Sequence, residues 1–345
     1  MLSLVYKSAW DVALEERPQP QITQENQVLV RIHATGVCGT DLGIVSGKYH
    51  AKSSIILGHE SAGEVVQVGD RVTTLQVGDR VVIDPTYYCG QCNMCRTGRQ
   101  NHCLHKSTTE TGVSSDGTFT DYYVTEDRFL YKLADHVSYA EATLTEPLSC
   151  MLTGINQIQL LPNFRTIILG AGPIGMLYSY ALASKGVSGS IVDISQDRLH
   201  IAGAIAPERW DTHNSFESAL THISPSDHQV DLIVDTTGAV GTTVLSNLAH
   251  GGYLMLVGLR DGVSSFNPKE VVDRSLKIIG SIDSLGTFAT AHYMIERNLI
   301  PASKLITHTF ALQDYEEAFQ TLGCNISSGT LTPSSNAIKV VLQST

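Results

Sequence analysis

Residues 165–186, RTIILGAGPIGMLYSYALASKG, constrain the fold of this chain more than any other stretch. The apolar run RTIIL reads as a strand buried on both faces, and PIGMLYSYALASKG (173–186) as a helix that stops at glycine. GAGPIG joins them as G-x-G-x-x-G: Gly170 permits a tight turn, Gly172 lets a ligand approach the backbone, and Gly175 lets the helix pack close to the strand. A strand–turn–helix is half of a parallel crossover, so further buried strands must follow. GSIVDI (189–194), VDLIVDTTG (230–238), GGYLMLVGL (251–259) and LKIIGSI (276–282) supply them, with helical-looking segments between most. The pattern predicts an α/β unit with a doubly wound parallel sheet. Residues 166–184 are nineteen uncharged positions, long enough to span a bilayer, but three glycines and a proline near their start suit a strand, a turn and a helix. No membrane span is expected.

The first ~145 residues have a different texture. QVLVRIHATG (27–36), SAGEVVQVG (61–69) and GDRVVIDP (78–85) are short valine-rich runs between turns, the pattern of a small β-rich unit. GDRV occurs at 69–72 and again at 78–81, which is shared turn chemistry and not a repeat. After about residue 290 come an amphipathic stretch, LQDYEEAFQTL (312–322), a polar loop, SSGTLTPSSN (327–336), and a last strand, AIKVVLQ (337–343), expected to return to the first unit. The 345 residues carry 34 acidic against 23 basic side chains, a formal net charge of −11. That balance excludes nucleic acid and an anionic membrane surface as partners, since both need a basic footprint. MLSLVYKSAW lacks the order of a secretory signal, so a cytoplasmic protein is expected.

In its strand–turn–helix setting the glycine pattern is a dinucleotide fingerprint, with a pyrophosphate resting on amide donors at the helix N-terminus beside Pro173 and Ile174. Asp193 follows Gly172 by 21 residues, where a carboxylate can hydrogen-bond both ribose hydroxyls and repel a 2′-phosphate. NAD is therefore expected over NADP. Arg198 is expected to flank the adenine, and Val257 to border the cofactor from a later strand end. A packing turn with no ligand is the alternative.

Seven cysteines, an odd number with four clustered, read as metal ligands plus free thiols and not as disulfides. Cys89, Cys92, Cys95 and Cys103 stand as C-x2-C-x2-C-x7-C, a spacing that closes a tetrahedral thiolate shell. A closed shell has no place for substrate, so this would be a structural zinc. An iron–sulfur cluster is the rival, but its ferredoxin form continues x3-C-P, and here the gap is seven. Outside the cluster, Cys38 in GVCGTD and His59-Glu60 in LGHESAG lie at strand ends, where ligands for an open metal site belong. Taken singly, Cys38 also reads as a small buried hydrophobe and His59 as a turn histidine.

GVCGTDL, GHESAGEVVQVG, GDRV, the 89–103 lobe and GAGPIG together resemble the zinc-dependent medium-chain alcohol/polyol dehydrogenases, in order and spacing, over about residues 5–343. The resemblance implies a GroES-like β-rich catalytic domain (1–147 and 291–345) and a Rossmann NAD-binding domain (148–290), with two zinc ions per chain. Cys38, His59 and Glu60 look like catalytic-zinc ligands. Glu146, in TEPLSC, resembles the Glu-Pro position of the sorbitol dehydrogenase branch, a ligand or a partner through water. Cys150 matches the ethanol branch's cysteine less well and is expected to be a buried thiol. Thr40 resembles the hydroxyl that starts a proton relay, and Asp41 is expected to anchor its loop or a histidine behind the metal ligands. Gly43 stands where a relay histidine often does, and Ile44 where sorbitol dehydrogenases show an aromatic residue. The implied activity is reversible NAD-linked oxidation of a secondary alcohol in a polyol or sugar-derived substrate, by a homodimer or homotetramer. A threonine dehydrogenase-like enzyme and a non-catalytic NAD-binding protein with structural zinc only are the alternatives.

Overall fold

The strand Gln27–Gly36 alternates toward a core of Val28, Val30, Ile32, Val65, Val81 and Ile83, and it organises everything around it. In the computed structural model, which describes residues 1–260, 262–332 and 337–344, the chain forms two units: Met1–Glu146 with Phe288–Thr345, and Pro147–Thr287. The first unit holds a seven-stranded sheet ordered Ile306–Ala311, Lys339–Gln343, Gln27–Gly36, Glu60–Val68, Arg80–Ile83, Leu130–Lys132, with Tyr122–Glu126 also paired to Gln27–Gly36. Gly36 is thereby flanked by Glu60 on one side and Val341 on the other. The C-terminal strand does return to this unit. A three-stranded sheet, Asp11–Glu16, Leu2–Ser8, Ile55–Ile56, completes it. The amphipathic stretch 312–322 becomes a 3-10 turn, Leu312–Asp314, and a helix, Tyr315–Thr321, burying Tyr315, Ala318 and Phe319. Residues 333–336 of the polar loop lie outside the described residues.

The second unit is a parallel sheet ordered Trp210–His213, Ser188–Val192, Arg165–Leu169, Val230–Asp235, Leu248–Leu256, Lys277–Gly280. Strand order runs outward both ways from Arg165–Leu169, so the glycine turn at its end lies at the topological switch point. Residues 166–184 form strand, turn and the helix Pro173–Ala183; the predicted glycine stop is Gly186, at φ +84° after one further turn. Among the described residues no helix is long and apolar enough to cross a membrane.

Just beyond Arg80–Ile83, Asp84 Oδ1 accepts a hydrogen bond from the Thr86 amide at 2.9 Å, while burial pushes the carboxyl up from 3.8 to about 6. A raised acid favours the protonated form in the folded state, so its cost is absent below about pH 4 and complete above about pH 6, near 3 kcal/mol. Asp84→Asn keeps the acceptor and removes the charge. It should raise unfolding free energy in denaturant titrations, with a gain at about pH 7.5 roughly twice that at about pH 5.

Candidate functional site

The strand Gln27–Gly36 delivers Val37 and Cys38 to the start of the helix Gly39–Val45, and the strand Glu60–Val68 begins beside it. Sequence-distant residues thus meet: donor atoms of Cys38, His59 and Glu60 lie within 4.8 Å of one another. Asp41 binds the two loops together. Its carboxylate is fully buried and accepts from the Cys38 amide at 2.9 Å and the Gly58 amide at 3.3 Å. Asp41 Oδ1 faces His59 Nδ1 at 3.9 Å. Gly58, at φ +88°, lies so close to Phe119 and to Gly112 and Gly117 that none of these glycines has room for a Cβ. Thr40 Oγ1 is 3.7 Å from Cys38 Sγ. Gly43, one helical turn past Thr40, packs against the Tyr49 Cβ, and its carbonyl accepts from the Lys48 and Tyr49 amides.

Glu146 lies in the first turn of the helix Thr145–Ile155 and is not one of the three donors that lie together. Its charge is nonetheless felt at His59. Burial pulls the His59 pKa down, but Asp41, Cys38 and Glu146 outweigh it and hold the ring well above its ordinary value. The acidic groups around the ring therefore favour positive charge at this position. One thiolate, one imidazole and one carboxylate form the open, three-ligand donor set that suits zinc.

A residue missed in the sequence lies behind these donors. Lys339 is 2% exposed and Glu60 1%; the Lys339 ammonium pairs with Glu60 Oε2 and donates to the Val37 carbonyl at 3.0 Å. Its signal was a lysine in the middle of AIKVVLQ, a strand otherwise apolar enough to be buried, because a lysine is almost never buried without a partner.

The four lobe cysteines also converge, with Cys92 and Cys95 sulfurs 3.4 Å apart and all four within 4.8 Å. Backbone amides point at the sulfurs, Cys92 N–H to Cys89 at 3.3 Å and Cys89 N–H to Cys103 at 3.4 Å. Amides of Leu104 and Cys95 lower the Cys92 thiol to about 6, while burial and the neighbouring sulfurs push Cys95 up to about 12. Donors aimed at sulfur stabilise thiolate and fit a tetrahedral zinc. Arg128 fastens the lobe, donating to the Tyr88 carbonyl at 2.9 Å and lying 4.7 Å over the Tyr88 ring.

In the second unit Gly170 adopts φ +107°, Gly172 caps the helix Pro173–Ala183, and Pro173 and Ile174 open it. A Cβ on Gly175 would collide with the Gly170 carbonyl, whereas one on Gly172 would meet nothing nearer than an Arg198 nitrogen at 3.9 Å. The turn is therefore packed on the sheet side and open at Gly172, the cradle a pyrophosphate needs. Asp193, just past Ser188–Val192, accepts from the Ala171 and Ser195 amides at 2.8 Å each. Arg198 Nη1 lies 3.9 Å from the same carboxylate, and Val257 donates to the Asp235 carbonyl.

Residues 24–135 match the family model described as alcohol dehydrogenase GroES-like domain, and residues 140–328 the one described as glucose dehydrogenase C-terminus. The chain is 30% identical to sorbitol dehydrogenase of Bombyx mori, over 91% of this chain and 93% of that protein. It is 31% identical to D-xylulose reductase A of Aspergillus oryzae, over 92% of each. Among solved structures, galactitol-1-phosphate dehydrogenase from Escherichia coli superposes with TM-score 0.84 at 26% identity, over 99% of this chain and 100% of that one. An alcohol dehydrogenase from Escherichia coli CFT073 in complex with NADH does so at 0.87 and 25%, over 99% of each.

Cys92→Ser should bring bound zinc from about two per chain to about one, lower the melting temperature and open residues 89–105 to proteolysis, read by metal analysis and limited digestion.

Proposed function

Because the chain belongs to the zinc-dependent medium-chain alcohol/polyol dehydrogenase family, we propose that it catalyses reversible NAD-linked oxidation of a secondary alcohol in a polyol or sugar-derived substrate to the ketone. The observation that carries this reading is the convergence of Cys38, His59 and Glu60 in a chain that sorbitol dehydrogenase and D-xylulose reductase match almost end to end. We assign the catalytic zinc to these three residues, with Glu146 contributing charge or a contact through water, and the structural zinc to Cys89, Cys92, Cys95 and Cys103.

When bound, the catalytic zinc supplies Lewis acidity that favours the ionised alcohol, and the nicotinamide supplies the hydride acceptor. Cys38 and Glu60 bring two negative charges to the metal pocket, and Asp41 keeps the Cys38 and Gly58–His59 loops in register. Thr40, beside the Cys38 sulfur, takes the alcohol proton onto its hydroxyl oxygen as it passes its own proton on. Gly43 offers no imidazole to follow Thr40, so the proton leaves through the other groups of the pocket and water. In the second unit the Gly172 turn seats the pyrophosphate, and Asp193 accepts from ribose hydroxyls, which favours NAD over NADP.

We also read the chain as a homodimer or homotetramer. The strand Lys277–Gly280 ends its sheet, and Val263 and Val272 of the same unit are exposed, which supports pairing with a second copy. A cytoplasmic location, where seven thiols stay reduced, accords with the cysteine chemistry.

Turnover with NAD should appear across a panel of polyols and secondary alcohols and be weak with threonine. Cys38→Ser should abolish it and remove about one zinc per chain while the Cys89–Cys103 zinc stays. Full activity in Cys38→Ser would refute the assigned centre. Asp193→Ala should raise KM for NAD by roughly tenfold or more and narrow the preference over NADP.

A further inference from the structure

Lys339 belongs to no ligand set, yet its placement is tightly prescribed. Pairing of Lys339–Gln343 with Gln27–Gly36, Val341 opposite Gly36, brings the lysine into the first unit behind the donor cluster. Gly36 has no side chain there because a Cβ would meet both Glu60 Oε2 and Lys339 Cε. The ammonium then grips both loops that carry donors. It binds the Val37 carbonyl, one residue before Cys38, and it binds Glu60 Oε2. A lysine only 2% exposed forgoes its hydration, so an ion pair here is a marginal source of stability compared with two apolar side chains. The fold alone does not call for it.

The charges around it suggest what it does. Lys339 feels the acidic groups Glu60 and Glu146 and the thiol of Cys38. Without an ammonium, Glu60 has two equivalent oxygens for a dication, and nothing opposes tight, two-oxygen binding. With it, Oε2 already accepts from the ammonium, which disfavours binding through both oxygens, and one positive charge offsets the acidic groups of the pocket. We propose that Lys339 is a positioning residue of the metal centre: it holds Glu60 to a single-oxygen contact and moderates how tightly the pocket binds its cation. The metal then keeps more of its charge for the substrate oxygen and a free position for it. This rests on the assignment of Cys38, His59 and Glu60 as the catalytic-zinc site.

The test compares the full-length wild-type protein with Lys339→Met and with Lys339→Gln, which keeps a hydrogen-bond donor but not the charge. Zinc affinity is measured by chelator competition, and the coordination of Co²⁺ at the same site by its visible d–d absorption. Loss of the charge should tighten zinc at the Cys38 site by about tenfold or more. In Lys339→Met the cobalt bands should weaken as Glu60 turns to bind through both oxygens. If Lys339→Met does not fold, Lys339→Gln decides by the affinity alone. Unchanged or weaker zinc binding in the folded variants, with only a lower melting temperature, would overturn the proposal and leave the pair as a fold contact. A wild-type protein that holds one zinc would instead overturn the metal-site assignment, and this inference with it.

Discussion

Burying Asp41 and Glu60 beside a thiol and an imidazole is costly, and the first unit is built around meeting that cost. An isolated ionised carboxylate in a protein interior is unfavourable by several kcal/mol unless it is paired and hydrogen-bonded. Asp41 is satisfied by two backbone amides from different loops, and Glu60 by an ammonium from the C-terminal strand. Each remedy is also a tether. Together they hold Cys38, His59 and Glu60 within reach of one ion, so the arrangement that makes the anions tolerable also makes the site.

The glycines around this centre have the same logic. Gly36 clears room for the Glu60–Lys339 pair, and Gly58, Gly112 and Gly117 let three backbone segments touch behind His59. In the second unit Gly170 and Gly175 serve close packing, while Gly172 leaves the helix N-terminus open. The two units therefore use small residues for opposite purposes, one to crowd charged side chains together and the other to expose bare amides.

Local patterns foretold the elements well. The strand–turn–helix at 165–186 and the valine-rich runs of the first unit appear where hydrophobic periodicity placed them, and the last strand pairs into the first unit's sheet. Boundaries moved by a few residues: Pro173–Ala183 stops before Gly186, and the 312–322 stretch splits into a 3-10 turn and a helix, because end geometry depends on caps and packing more than on pattern. The four lobe cysteines could be grouped from spacing alone, since fifteen residues suffice to bring them together. Cys38 and His59-Glu60 could be grouped only through the company of the other motifs, because no local rule connects positions 21 and 22 residues apart across two strands.

The sequence by itself determined the class of fold, the grouping of the four lobe cysteines and the glycine turn, because each is written in residues close enough to shape one another locally. Tertiary structure alone decided which charges share a pocket. Lys339 lies some three hundred positions from Cys38 and looks in sequence like a stray cation in a strand. Only sheet pairing of Lys339–Gln343 against Gln27–Gly36 sets its ammonium on Glu60, beside Cys38 and His59.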